Sequence, residues 1–525
     1  MANKTLFQTT RGTQIPAANT RNEAGGLAYS MPPKQTLAQY AATGCLNTTF
    51  YASADEQLAT VLDLCRNIEP EFIARTAIYA RSKGYMKDLP ALLCAILASK
   101  GPGLLAEVFD RVIDDSRMLR NFVQIIRSGV TGRKSLGTLP KRLVLQWIER
   151  RDDAAVFRAS VGNDPSLADI VKMVHPKPAT KSREALFGYL IGRPHNAIDL
   201  PEIVRQYQAF KAGESKLVPD VPFQMLTSLP LASDDWKAIA RKAPWQMTRM
   251  NLNTFARHGV FEGTDSDELL RLIAERLRNP ELIAKAKVFP YQLMVAYAMA
   301  DAKVPAIIRD ALQDAMEIAI ANVPKVDGGV WVFADVSGSM HSPVTGHRDG
   351  ATTAVRCVDV AALVAAAFVR QNRDASVLPF ETNVVNVTLN PRDSVMTNAR
   401  KLASLPAGGT NCSAPLAELN RRNARGDLLI YVSDNESWVD SPWYGRFGGS
   451  STQTMRQWAA YKLRNPNAKL VCIDIQPYGT TQVSERKDLL NIGGFSDRVF
   501  DVIAEFASGT LNADHWIGVI EAVNL

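Results

Sequence analysis

Asp335, Ser337 and Ser339 stand two residues apart in the stretch Gly328-Gly-Val-Trp-Val-Phe-Ala-Asp-Val-Ser-Gly-Ser-Met340, directly after an apolar run. An apolar run bounded by glycines predicts a buried strand, so these three oxygen-bearing side chains fall at a strand's carboxyl end. Further along, Gly408-Gly-Thr-Asn-Cys-Ser413 offers the hydroxyl of Thr410 before a helical stretch, and Asp434 follows the apolar run Leu428-Leu-Ile-Tyr-Val432. Asp335, Ser337, Ser339, Thr410 and Asp434 form an all-oxygen set of two carboxylates and three hydroxyls. Such a set suits one hard divalent cation, Mg²⁺ first, with water filling the remaining octahedral positions. A serine-rich turn after a strand needs no metal. The expectation therefore rests on Thr410 and Asp434 falling at loops of the same sheet end.

The elements that must position this set follow from the periodicity. From about 327 onward, strand-like runs at 329–335, 376–380, 427–433, 469–475 and 498–503 alternate with helical stretches at 355–371, 394–403, 412–423, 452–464 and 485–491. That alternation predicts a parallel sheet with helices on both faces, in which ligands bind beyond the carboxyl ends of the strands. The preceding sequence is different. Ser53-Ala-Asp-Glu56 is a capping box, Pro70 suits a first helical turn, and Asp88 is expected to cap a helix carrying Leu89, Leu92, Leu93, Ile96 and Leu97. Helical patterns continue at 103–127, 139–150, 166–175, 182–191, 266–277 and 303–322, with strand patterns nearly absent. Helix following helix predicts an α-solenoid, and an irregular all-helical domain fits the same pattern because no tight repeat period stands out. Residues 1–35 are polar, end in Met31-Pro-Pro33 and read as an extended arm. The expected division is 1–35, 36–325 and 326–525.

A chain of 525 residues supports more than one core. Its formal charge of +7 is mild, so only clustering of the basic residues gives it meaning. They do cluster. Ser116 to Ile148 carries Arg117, Arg120, Arg127, Arg133, Lys134, Lys141 and Arg142 with no acid, and Ile170 to Arg183 carries Lys172, His175, Lys177, Lys181 and Arg183 with none. A merely solvated helix face usually interleaves acids for i,i+4 pairing, whereas clustered Lys and Arg displace counterions from nucleic-acid phosphates. The six cysteines, Cys45, Cys65, Cys94, Cys357, Cys412 and Cys472, are scattered without a CxxC pair, which fits reduced, buried thiols in a cytoplasmic protein. With no signal-peptide core and no run of eighteen apolar residues, the expectation is a soluble chain without a membrane partner. Gly132-Arg-Lys-Ser135 lacks the upstream glycine and preceding strand of a phosphate-binding loop, and neither GxGxxG nor HExxH occurs.

Asp335-Val-Ser-Gly-Ser339, Thr410 and Asp434 resemble the metal-ion-dependent adhesion site of a von Willebrand factor A domain. More narrowly, Pro406-Ala-Gly-Gly-Thr-Asn-Cys-Ser-Ala-Pro-Leu416, Ser433-Asp-Asn-Glu436 and Gly493-Gly-Phe-Ser-Asp497 resemble the C-terminal domain of the Ro ribonucleoprotein, the TROVE-module family. The helical half fits that family too. The resemblance implies an all-α ring of HEAT-like helical repeats plus an α/β, Rossmann-like von Willebrand factor A domain that closes it. It further implies a small noncoding Y-like RNA on the outer face of the ring and single-stranded 3′ ends of misfolded RNA in the central hole. An exoribonuclease partner in RNA quality control and stress response, and a protein that is monomeric within the ribonucleoprotein, complete the picture. Leu139-Pro-Lys-Arg-Leu143 and Ile170-Val-Lys-Met-Val-His-Pro-Lys-Pro178 match the family's Y RNA contact region and fall inside the two acid-free runs. Lys141, Arg142, Lys172, His175 and Lys177 are assigned to RNA on that match, and Arg133 and Lys134 join them by charge alone.

Two rival functions are open. A Mg²⁺-dependent nuclease or phosphatase would use the oxygen cluster, although such catalysis normally draws on more carboxylates than two. A protein-only adaptor would use the basic runs for solubility. A site of low charge leaves its cation electrophilic enough to capture a carboxylate from a protein ligand, so the expected role is recognition and not enzymatic turnover. His341 and His347 have no part in an oxygen site. The aromatic loop Trp438 to Phe447 departs from the family pattern and is expected to shape partner access.

Overall fold

The structure, a computed structural model, describes residues 15–525 except 44–45, 47–51, 85, 264–265, 287–289, 321–322, 327, 345–354, 440–450, 485, 495–497 and 510–514. Cys45, His347, most of the aromatic loop and part of the Gly493–Asp497 motif lie outside the described residues. The chain divides into two compact units. One takes the described residues of Ile68–Val288, Ala296–Ile318 and Glu521–Leu525, the other those of Met1–Asn67, Phe289–Val295 and Ala319–Ile520.

The first unit is helical, and among its described residues there is no strand. Helices Pro70–Ser82, Asp88–Lys100 and Pro102–Val112 pack on one another in sequence order. Asp88–Lys100 is buried on every side from Leu89 to Ala98, the signature of a helix enclosed by its neighbours. Pro70 stands in the first turn of its helix, where its missing N–H costs nothing. The continuous helical pattern at 103–127 is two helices, Pro102–Val112 and Ser116–Ser128. Asp115 separates them by accepting a hydrogen bond from Met118 N at 2.8 Å, which satisfies an otherwise orphaned helical donor. Asp88 opens its helix without capping it; its carboxylate accepts from Asn121 Nδ2 at 2.6 Å.

The second unit is built on a parallel sheet. Its strands, with those of the N-terminal segment, are β1 (Thr20–Arg21), β2 (Leu27–Ser30), β3 (Val330–Ala334), β4 (Ser376–Val377), β5 (Leu428–Ser433), β6 (Lys469–Asp474), β7 (Thr480–Thr481) and β8 (Leu489–Gly493). The five-stranded sheet runs β4-β3-β5-β6-β8, every pair parallel. Helix Cys357–Gln371, rich in Ala and Val, packs on β3 and on helix Val395–Ala403, and nearly all of it is buried. On another side Phe333, Phe380, Tyr431, Trp458 and Tyr461 fill the core.

The last two elements correct the sequence reading. The apolar run at 498–503 belongs to helix Arg498–Ser508, and 485–491, read as helical, runs into the strand β8 at Leu489. Val499, Phe500, Ile503 and Phe506 recur at helical spacing and are all buried, whereas β8 is five residues buried on both faces. Periodicity cannot distinguish short apolar runs buried all round. The fold class itself stands, a helical unit joined to an α/β domain. The polar N-terminal segment carries β1 and β2, which form an antiparallel hairpin extended by β7, and helix Pro33–Thr43 packs against β8. The capping box Ser53 to Glu56 is present, with Ser53 N donating to Glu56 Oε2 at 2.7 Å and Glu56 N to Ser53 Oγ at 3.2 Å. Cys65, Cys94, Cys357, Cys412 and Cys472 are buried. Among the described residues no helix is long and apolar enough to cross a membrane.

Candidate functional site

Parallel pairing sets Ala334 opposite Val432 and Ser433 opposite Asp474, so Asp335, Ser433 and Asp474 come level at the carboxyl end of three adjacent strands. Ser433 Oγ donates to Asp335 Oδ2 at 2.5 Å, and Ser337 N donates to Asp335 Oδ1 at 2.8 Å. The hydroxyls of Ser337 and Ser339 lie 3.4 Å apart. Three backbone bonds hold the loops together: Val336 N to Phe380 O, Gly338 N to Gly408 O, and Trp438 N to Thr410 O, each at 2.9 Å. The five residues of the oxygen set are therefore gathered at one sheet end, and all five are buried.

Burial is the main electrostatic fact here. It pushes the Asp335 carboxyl up to about 7, with repulsion from Asp434 adding to it and the hydroxyls of Ser337 and Ser433 opposing it. Asp434 is raised for the same reason, against hydrogen bonds from Ser339 and the Glu436 amide. Two neighbours share the problem: Glu436 and Asp474 are raised well above the ordinary carboxylate range by burial and then by Asp434. A cation beside Asp335 and Asp434 would relieve this repulsion, and the donor chemistry fits a hard ion. Among the described residues no three His, Cys, Asp or Glu side chains are placed to hold a metal ion, so hydroxyls and water would have to complete the shell. His341 is turned to Arg356, whose Nη1 lies 2.9 Å from its Nδ1.

The basic runs lie in the helical unit. Helix Leu167–Val174 packs against both Ser116–Ser128 and Thr138–Glu149, which brings the second acid-free run beside the first. Lys134, Arg142, Lys172, His175 and Lys177 are exposed, and Lys141 is half-buried. His175 ends its helix in the left-handed conformation, φ 54°, with its N–H on Val171 O. Lys177 lines a cleft of about 700 Å³ together with Glu149, Asp153, Arg158 and Arg183. Arg133 is differently engaged: its guanidinium donates to Ala98 O at 2.7 Å and to Leu136 O at 3.4 Å, so it ties the loop to a neighbouring helix. Arg183 is likewise held by Asp153 at 2.5 Å. Arg117 lies 3.6 Å from Asp88, and the charge of Arg127 helps hold the Asp169 carboxyl below its ordinary range, after the hydrogen bonds from Ser166 and the charge of Lys172. The runs lack acids in sequence, yet other helices supply acids to some of their members.

Residues 330–507 match the family model described as the Ro60 vWA domain. This segment is similar to that domain. The resemblance to the Ro ribonucleoprotein family extends beyond it. The chain is 24% identical over 536 aligned positions to the RNA-binding protein RO60 of Deinococcus radiodurans, covering 94% of this chain and 96% of that one. It is 21% identical over 253 positions to the RNA-binding protein RO60 of Caenorhabditis elegans, covering 46% of this chain and 37% of that one. The crystal structure of the Deinococcus radiodurans RO (RSR) protein superposes with a TM-score of 0.63 at 20% identity, over 91% of this chain and 100% of the other, and shows the same fold.

Within the matched segment, sequence reasoning missed Ser433, Glu436 and Asp474 as parts of the buried polar end of the sheet. The strand ending Ile473-Asp474 carried a signal, an acid closing an apolar run. It also missed Asn22, which reaches the same region from outside the matched segment. Nothing in the spacing of residues 415 apart could have shown that contact.

Proposed function

We propose that the chain is an RNA-binding scaffold of a ribonucleoprotein, in which the helical unit holds RNA and the Ro60 vWA domain holds one Mg²⁺ and recognises a partner. The observation that carries this reading is the packing of helix Leu167–Val174 on Ser116–Ser128 and Thr138–Glu149, which gathers exposed basic side chains from both acid-free runs. The names of the two relatives, both RNA-binding proteins, favour the same ligand. The RNA is a small structured Y-like RNA, contacted by Lys134, Lys141, Arg142, Lys172, His175 and Lys177. Phosphate neutralisation supplies most of the affinity, and His175 stacks on a base or donates to phosphate. Single-stranded 3′ ends of misfolded RNA and an exoribonuclease partner belong to the same reading, as does work in the cytoplasm.

In the vWA domain, Asp335, Asp434, Ser337, Ser339 and Thr410 would hold the cation, directly or through water. The bound ion would supply a Lewis-acidic position for a carboxylate of a protein ligand. Ser433 and the Ser337 amide orient the Asp335 carboxylate, and burial keeps bulk water from competing. A catalytic role is less well supported, because hydrolysis by metal normally draws on a carboxylate-rich site that also activates water. Sequencing the RNA that co-purifies with the chain tests the first half of the proposal. Enrichment of one small structured RNA is expected, and recovery of bulk cellular RNA in proportion to abundance would contradict it.

A further inference from the structure

The hairpin β1–β2 turns through Asn22, Glu23, Ala24 and Gly25, closed by Gly25 N on Asn22 O at 2.9 Å, with Gly25 at φ +80°. Asn22 is buried and bonds in two directions. Its Oδ1 accepts from Gly26 N at 2.6 Å, and its Nδ2 donates to Ser437 O at 3.0 Å. Gly26 must be glycine here, because a Cβ would collide with that same Ser437 carbonyl. Ala24 N donates to Glu436 Oε2 at 3.1 Å, giving a buried carboxylate beside Asp434 a partner.

The loop touched by the hairpin is the one that leaves Asp434. Glu436 N donates to Asp434 Oδ1 at 3.2 Å, so the position of Glu436 bears directly on the Asp434 carboxylate. From the opposite side, Ser437 Oγ accepts from Cys412 N at 3.3 Å, and Trp438 N donates to Thr410 O. Residues 434–438 are thus clamped between the hairpin and the Thr410 loop. The segment matched as the Ro60 vWA domain begins at residue 330 and contains only one side of that clamp.

We infer that the N-terminal hairpin is a positioning element of the cation centre, with Asn22 as a positioning residue that fixes the loop carrying Asp434. The inference rests on the reading of this centre as a cation site. Partners that orient a metal ligand commonly contribute about 10- to 100-fold in metal affinity when they are removed. Coupling of this kind is also reciprocal: if the hairpin favours the cation, the cation must steady the hairpin.

The test is Mn²⁺ binding to the full chain, followed by electron paramagnetic resonance, in wild type, Asn22→Ala and Asn19→Ala. Among the described residues the Asn19 side chain bonds the other end of the hairpin, accepting from Ser30 N at 2.7 Å and donating to Ser30 Oγ at 2.9 Å. The expected result is about a 10-fold weaker Mn²⁺ affinity in Asn22→Ala and no change in Asn19→Ala. In wild type, Mn²⁺ should slow hydrogen exchange at the Ala24 and Gly26 amides, and the slowing should vanish in Asp335→Ala. Unchanged affinity in a folded Asn22→Ala overturns the inference while leaving the cation site intact. Should that variant fail to fold, exchange at Ala24 and Gly26 that ignores Mn²⁺ in wild type overturns it. Absence of Mn²⁺ binding in wild type removes the cation reading and this inference together.

Discussion

The sheet end around Asp335 and the helical surface around Lys141 are both polar, but they obey opposite rules. At the sheet end every candidate ligand is buried and fixed by hydrogen bonds such as Ser433 Oγ to Asp335 Oδ2 at 2.5 Å. On the helical surface Lys134, Arg142, Lys172, His175 and Lys177 are exposed on long or terminal positions and are free to track an irregular phosphate backbone. A buried, preorganised site selects one small ion, and its members act as a unit. An exposed basic surface accumulates many weak contacts that add nearly independently and fade with salt. The difference predicts how each region breaks.

The largest effect is expected at the sheet end. Asp335→Ala should abolish Mg²⁺ or Mn²⁺ binding measured by titration calorimetry while leaving RNA affinity within twofold. Loss of RNA binding in that variant would merge the two regions into one site. Next in size is the combined change of Lys141, Arg142, Lys172 and Lys177 to Ala. Removing four phosphate contacts should lower RNA affinity by about two to three orders of magnitude at low salt and reduce the salt slope by roughly three. A single dominant residue among the four would contradict additivity. Metal binding in this variant should match wild type.

A smaller effect concerns pH. The folded-state pKa of Asp335 is raised from 3.8 to about 7, so the folded chain holds that proton more tightly than the unfolded one. Its contribution to stability is full below the unfolded value and is lost as pH rises through about 7. Asp434, Glu436 and Asp474 shift in the same direction. Cation-free protein should therefore melt a few degrees lower at pH 8 than at pH 6, by roughly 2–4 °C in a domain of this size. Mg²⁺ should recover the loss at pH 8 and do little at pH 5, where protons compete for the carboxylates. A melting temperature in EDTA that rises between pH 6 and pH 8 would show that these groups do not govern stability in that window.

The smallest effect separates two neighbours. Arg133→Ala should destabilise the helical unit by about 1–3 kcal/mol, because it releases the bonds to Ala98 O and Leu136 O. Lys134→Ala should leave the melting point unchanged and weaken RNA binding by only a few-fold. The reverse pattern would reassign the two.

These contrasts also explain what the sequence could tell. The five oxygen residues were legible because each sits at the end of a strand or before a helix whose pattern is local. The sheet's last strand was not, because Leu489–Gly493 and Arg498–Ser508 are both short apolar runs that become fully enclosed. The basic runs were visible as composition, but the acids that pair with Arg117 and Arg183 sit at Asp88 and Asp153 on other helices. The role of Arg133 in bracing Ala98 is a tertiary fact with no counterpart in charge spacing. Asn22 marks the far limit, since only the folded chain places it against Ser437.

The most direct measurement compares the affinity of one labelled, structured small RNA for wild type, Asp335→Ala and the four-site basic variant, in the presence of Mg²⁺. Equal affinity for wild type and Asp335→Ala, intact RNA in every lane, and an affinity at least about 100-fold weaker for the basic variant are expected. Equal binding by the basic variant, or Mg²⁺-dependent cleavage that disappears with Asp335, would contradict the scaffold role.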